Sequence, residues 1–368
     1  MADFTTGIAY STDSAGMHPS HTLPIKLRAI YDAGFTQVEI GFPDLETFAE
    51  QEFEGNYKKL DDAGKGDVEK LCQVAAKVRS LCDELGMHIL VVHPFSEYEG
   101  YTDKKKKQQG LERAQSWFRV LKVGSSDDDS SSGDFDVIAG DLRDLADLAA
   151  RQDPPIRIAY EMWAWGVHVN TWEHTWEICK RVDRPNFGLC LDTFQICARA
   201  YASPTSPSRV LPDAQQKLQA SLANLSKTIP ASKIFYFQIS DGSSNVSPEA
   251  LITQAQKEGI SPLYAWSNAW RPVPYMDEAV DALRVAAGSS DTFALSVGEG
   301  AVHGGFGGYL PVLDVINAVL RTGWRGPWSY EVFFEESMSK DDIGVPLFWT
   351  KVAKKSHEKI VEELKREL

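Results

Sequence analysis

The sequence has no Cys-x-x-Cys pair among its five cysteines, Cys72, Cys82, Cys179, Cys190 and Cys197. An odd count set within apolar runs excludes a disulfide framework and predicts a reduced, cytoplasmic protein. Positive charge is also in short supply. Lysine and arginine number 38 against 52 acidic residues, a net charge of −14. That excess argues against nucleic acid or an anionic membrane surface as a partner. No run of about 18 apolar residues occurs, so no segment is expected to span a bilayer. Met1–Thr6 holds neither a basic region nor an apolar stretch, and no leader is expected there.

What is present is ample apolar material, 43% of 368 residues, laid out as alternating strand-like and helix-like runs. The clearest helix covers Asp67–Gly86, where Leu71, Val74, Ala75, Val78, Leu81, Cys82 and Leu85 recur at three and four and Gly86 supplies the stop. His88–Phe95 follows as a continuous apolar strand, the pattern of a parallel strand covered on both faces. Further strands are expected at Thr6–Thr12, Thr36–Phe42, Arg157–Trp163, Phe187–Thr193, Lys233–Ser240 and Trp328–Phe333, with a short fourth strand in Leu121–Ser125 and an extra one at Thr292–Val297. Asn170 is expected to cap a helix running to Val182. Repeated strand–helix units predict a parallel sheet. Roughly eight of them fit an α/β fold, a (β/α)8 TIM barrel. The barrel is expected over residues 1–346, with a C-terminal helical extension over 347–368.

Four strand ends carry metal-ligand residue types: Glu161, Asp192, Gln238 and Glu331. In a barrel of parallel strands such residues converge at one mouth. Four oxygen donors, three of them anionic, suit one hard divalent cation, Mg2+ or Mn2+ first, with Co2+ or Zn2+ as alternatives. Taken singly, Glu161 or Glu331 fits an ion-paired structural role as well. The four together favour the metal.

Several segments resemble a known family. These are Tyr160-Glu161-Met162-Trp163-Ala164-Trp165-Gly166, Arg184–Phe194 with Tyr201–Pro204, His93-Pro94-Phe95 with Tyr98-Glu99-Gly100, Gly308–Val312 and Ser329–Phe333. They are similar to the fungal 3-dehydroshikimate dehydratases, within the xylose-isomerase-like, sugar phosphate isomerase/epimerase superfamily of TIM barrels. The resemblance runs from about Gly7 to Trp349. It implies a metal held at Glu161, Asp192, Gln238 and Glu331. It also implies a lyase reaction on a small-molecule ketone, in which a base takes a proton beside the carbonyl and water leaves to give protocatechuate.

Two departures bear on the reaction. The resemblance implies a histidine base three residues after the metal-binding Asp192, but Gln195 stands there. It also implies Trp-Ser-Arg, but the chain reads Trp266-Ser267-Asn268, with Arg271 nearby. His93, His168 and Glu39 are therefore the candidate catalytic groups. Gln195, Arg199, Trp165, Asn268 and Arg271 are the candidate substrate contacts. His303, in a glycine-rich run, fits a flexible loop or lid. The alternative function is isomerisation or epimerisation of a sugar-like ketone, or a tailoring reaction, at the same metal site. Eight histidines and an acidic balance disfavour a nuclease on this fold. Homo-oligomerisation is left open.

Overall fold

Every strand of the main sheet runs parallel to its neighbours, and the sheet closes on itself. The structure is a computed structural model and describes residues 4–117, 121–287 and 305–367. The barrel strands are β1 (Ile8–Ser11), β2 (Gln37–Gly41), β3 (His88–Phe95), β4 (Leu121–Gly124), β5 (Ile158–Glu161), β6 (Phe187–Asp192), β9 (Ile234–Ile239) and β10 (Trp328–Tyr330). A two-stranded antiparallel hairpin, β7 (Ala202–Ser203) with β8 (Arg209–Val210), stands outside it. The fourth strand pairs with both β3 and β5, so the wall is continuous there. The expected strand at Thr292–Val297 and His303 lie outside the described residues.

Helices cover the outside. The periodic apolar stripe read at 67–86 forms Val68–Glu84, and Gly86 stands just beyond its end at φ +66°, a conformation that glycine adopts without steric cost. Among the described residues, helices also arise where none was expected, at Phe42–Glu52, Thr193–Ala200, Pro248–Glu258, Pro262–Ala269 and Glu335–Met338. Three of them begin with a proline in the first turn, where the missing N–H costs nothing. The cap of Trp172–Val182 is Thr171, whose hydroxyl accepts from His174 N; Asn170 instead donates to Gly166 O. The last helix, Val345–Arg366, packs on Leu23–Asp32 and Met276–Ala287. Among the described residues no helix is long and apolar enough to cross a membrane.

Period-two alternation sorts the strand side chains. Tyr10, Val38, Tyr160, Leu189, Phe237 and Tyr330 face the helices in the main core. Inside the barrel a small apolar layer, Val91, Ala159, Cys190, Phe235 and Tyr236, fills the middle. Two residues further along the same strands stand His93, Glu161, Asp192 and Gln238, all buried. The apolar layer is thus the floor beneath a polar mouth.

Candidate metal centre

The polar layer sits at the carboxyl ends of the strands. Glu161 ends β5, Asp192 ends β6, Gln238 lies near the end of β9, and Glu331 follows β10. One carboxylate oxygen from each of Glu161, Asp192 and Glu331 falls within 4.8 Å of the others. All three acids are nearly excluded from solvent, at 0%, 1% and 5% exposure. Buried carboxylates in such proximity need cations.

Each acid is oriented by a neighbour. Asp192 caps the helix Thr193–Ala200, its Oδ1 accepting from Phe194 N (2.7 Å) and Gln195 N (3.4 Å). Glu161 Oε2 accepts from the indole Nε1 of Trp163 at 3.1 Å. Gln238 donates through Nε2 to both oxygens of Glu39 (3.1 and 3.2 Å), and Tyr236 Oη donates to Glu39 Oε2 at 3.2 Å. This turns the amide nitrogen to Glu39, so that the carbonyl oxygen, which accepts from Cys190 Sγ at 3.4 Å, is the end that can serve a metal, the arrangement by which second partners orient metal ligands. The donor set is therefore all-oxygen and mostly anionic, and it fits a hard divalent cation.

His93, at the mouth end of β3, places Nδ1 3.4 Å from Glu331 Oε1 and Nε2 2.8 Å from Ser11 Oγ. Ser11 hydrogen-bonds in turn to Asp13 Oδ1 at 2.5 Å. Asp13, with its side chain 24% exposed, also lies 3.9 Å from His93 Nε2. Sequence reading missed Ser11 and Asp13; their position at the end of β1, a strand for which no site residue was sought, was the available signal.

Arg271 enters the same layer. Its guanidinium pairs with Asp192 Oδ2 and, at 3.0 Å, with Glu331 Oε2, while Nε donates to Ser240 Oγ at 2.7 Å. Burial works against its charge, but Asp192, Glu331 and Glu161 outweigh that and hold it protonated. Gln195 is buried, and its Oε1 accepts from Ala164 N at 2.8 Å. Trp165 stacks between Trp163 (5.3 Å) and Tyr264 (4.6 Å), forming an aromatic wall that begins at Glu161.

The remaining candidates are not brought to this cluster. His168 points Nε2 at Ser131 O (3.0 Å), holding the 125–133 loop. Arg199 and Asn268 are exposed, Asn268 beside the Tyr264 hydroxyl.

This geometry agrees with the sequence relationships. The family model for the xylose isomerase-like TIM barrel matches residues 27–351. The chain belongs to that family. It is 31% identical over 352 residues to a 3-dehydroshikimate dehydratase of Neurospora crassa, covering 92% of this chain and 89% of that protein. A 3-dehydroshikimate dehydratase of Pseudomonas aeruginosa is 36% identical over 183 residues, 48% of this chain and 25% of the longer bacterial protein. Among solved structures, a xylose isomerase-like TIM barrel/4-hydroxyphenylpyruvate dioxygenase fusion protein superposes with a TM-score of 0.65 at 23% identity, over 99% of this chain and 44% of that one. The IOLI protein, solved with a bound zinc atom, superposes at 0.57 with 16% identity, over 97% and 99% of the two chains. At these identities the structural matches speak for the fold.

Proposed function

We propose that the protein is a divalent-metal-dependent lyase of the 3-dehydroshikimate dehydratase type, removing water from a cyclic hydroxy ketone to leave an aromatic product. The observation that carries the proposal is the set of three carboxylate oxygens within 4.8 Å at the strand ends. The near end-to-end match to the fungal dehydratase supplies the substrate. Glu161, Asp192 and Glu331, with the amide oxygen of Gln238, would hold Mg2+ or Mn2+. When bound, the cation supplies Lewis-acid polarisation of the substrate ketone.

The chain supplies the proton chemistry. His93 takes the proton from the carbon next to the ketone, and the same imidazolium returns it to the departing hydroxyl, so that one water leaves and a ring double bond forms. Ser11 and Asp13 link His93 to the rim. Glu39 acts as a positioning residue, since its oxygens are spent on Gln238 and Tyr236. Gln195 has its oxygen committed to Ala164 N, so it offers N–H groups to a substrate oxygen and cannot act as a base. Trp163 and Trp165 wall the ring and keep water out.

The position three residues after Asp192 favours a second reading. An amide there, with carboxylates facing one another across the site, suits proton shuttling on a sugar-like ketone, that is, isomerisation or epimerisation. The experiment is incubation of the metal-loaded chain with 3-dehydroshikimate, following catechol absorbance and the loss of one water by mass. Protocatechuate from the parent chain, and none from Glu161→Gln, is the expected result. A folded, metal-loaded chain that leaves 3-dehydroshikimate intact but interconverts ketoses would establish the second reading instead.

A further inference from the structure

Arg271 is held at four points. Its backbone exchanges two hydrogen bonds with Phe333, 2.7 Å from Arg271 N and 2.8 Å back to Arg271 O. Its Nε is fixed by Ser240 Oγ, and its two terminal nitrogens pair with Asp192 and Glu331. The guanidinium also lies over the Phe194 ring at 4.9 Å. It is 1% exposed. A long, flexible side chain is here a rigid, buried charge.

Its two acidic partners are two of the three acids of the candidate metal centre. The three carboxylates and the guanidinium together carry a formal charge of minus two, which a single divalent cation neutralises. Each carboxylate oxygen has more than one lone pair, so an oxygen held by Arg271 still has capacity for a metal.

We propose that Arg271 is a resident counter-cation of the metal centre: it keeps Asp192 and Glu331 aligned as donors before the metal arrives, and it lowers the affinity of the site for the divalent cation. The inference rests on the metal-centre reading above. The physical argument has two sides. Without a cation, three buried carboxylates with oxygens within 4.8 Å of one another repel, and Arg271 relieves that in the metal-free chain. Once a divalent ion is present, the same positive charge opposes it at short range. Lysine would keep the charge but lose the planar fork that spans both acids.

The test is calorimetric titration of Mn2+ into chelator-stripped full chain for the parent, Arg271→Gln, Arg271→Lys and Glu161→Gln. Arg271→Gln is expected to bind Mn2+ tighter by about tenfold or more, since screening leaves only part of the Coulomb interaction. Its stripped form should melt below the parent, and its Mn2+-induced rise in Tm should exceed the parent's. Arg271→Lys should bind within about threefold of the parent, because the charge remains. If stripped Arg271→Gln does not stay folded, competition of its Mn2+-loaded form against a chelator reads the same affinity. Equal or weaker Mn2+ binding by Arg271→Gln, with binding lost in Glu161→Gln, would overturn the counter-cation and leave the metal centre standing. Parent binding that Glu161→Gln leaves unchanged would instead remove the metal-centre reading on which the inference rests.

Discussion

Gly124→Ala is a one-carbon change that reaches the metal centre through a single ring. A Cβ on Gly124 would lie 2.2 Å from Trp163 Cζ2 and 2.4 Å from Cε2, whereas ordinary contacts fall at 3.4–4 Å. The indole must therefore move by about 1 Å or more, or β4 must retreat. Trp163 is stacked on Trp165, and Trp165 on Tyr264, so its way back is blocked. The same indole donates to Glu161 Oε2 at 3.1 Å, a bond that such a movement breaks. Overpacking costs about 1–3 kcal/mol. A lost hydrogen bond to a charged group adds roughly 1.5–3 kcal/mol. Relaxation makes the two less than additive, and a loss of about 2–4 kcal/mol is expected. Because Glu161 loses its orienting partner, Mn2+ affinity should fall by about 10–100-fold. The assay is Mn2+ calorimetry with thermal melting alongside. Gly140→Ala serves as the control: nothing lies within 4 Å of its added carbon, and removing a helical glycine should stabilise by about 0.5–1 kcal/mol. A Gly124→Ala chain that binds Mn2+ like the parent and melts with it would refute the reasoning.

Other consequences follow from the same geometry. Burial raises the Glu99 carboxyl from the usual 4.5 to about 7, against the opposing pull of the Tyr160 hydroxyl and Ser126 N–H. The folded chain therefore keeps a proton that the unfolded chain has lost, so the stability from this group is full below about 4.5 and is lost as pH rises through about 7. Glu99→Gln should abolish a fall on the order of 3 kcal/mol between pH 5 and 8, as read by urea unfolding; an unchanged pH profile would contradict this. His93→Gln should lower kcat by about 100-fold or more while weakening Mn2+ by no more than about tenfold through its contact with Glu331, a split that separates proton transfer from metal binding. Glu39→Gln should do the reverse in part, weakening Mn2+ by about tenfold through Gln238; a change in kcat alone would make Glu39 the base.

Much of the barrel was legible because buried parallel strands announce themselves as short continuous apolar runs, and acidic or amide residues at or near the carboxyl ends of those runs face the mouth. Glu161, Asp192 and Glu331 are read this way and meet in space. Arg271 was legible only as a cation near Asn268. Its pairing with Asp192 and Glu331 depends on the antiparallel bridge to Phe333, a contact across 62 residues with no local signal. The loop pair made by Glu97 and Glu99 with Ser126 and Asp127 was hidden for the same reason. The helix Phe42–Glu52 was not read from the sequence; its Pro43 sits in the first helical turn, where proline is tolerated. Asn170 resembled a cap by residue type, but Thr171 has the extended backbone that the cap requires.

The central claim is that a cation held by these strand ends makes the chain a dehydratase. The most direct measurement is the initial rate of protocatechuate formation from 3-dehydroshikimate, with chelator-stripped protein titrated with Mn2+. The account predicts no turnover in stripped protein and a rate that climbs in proportion to bound Mn2+, levelling at one ion per chain. Turnover by stripped protein at the loaded rate, or none from folded and fully loaded protein, would contradict it.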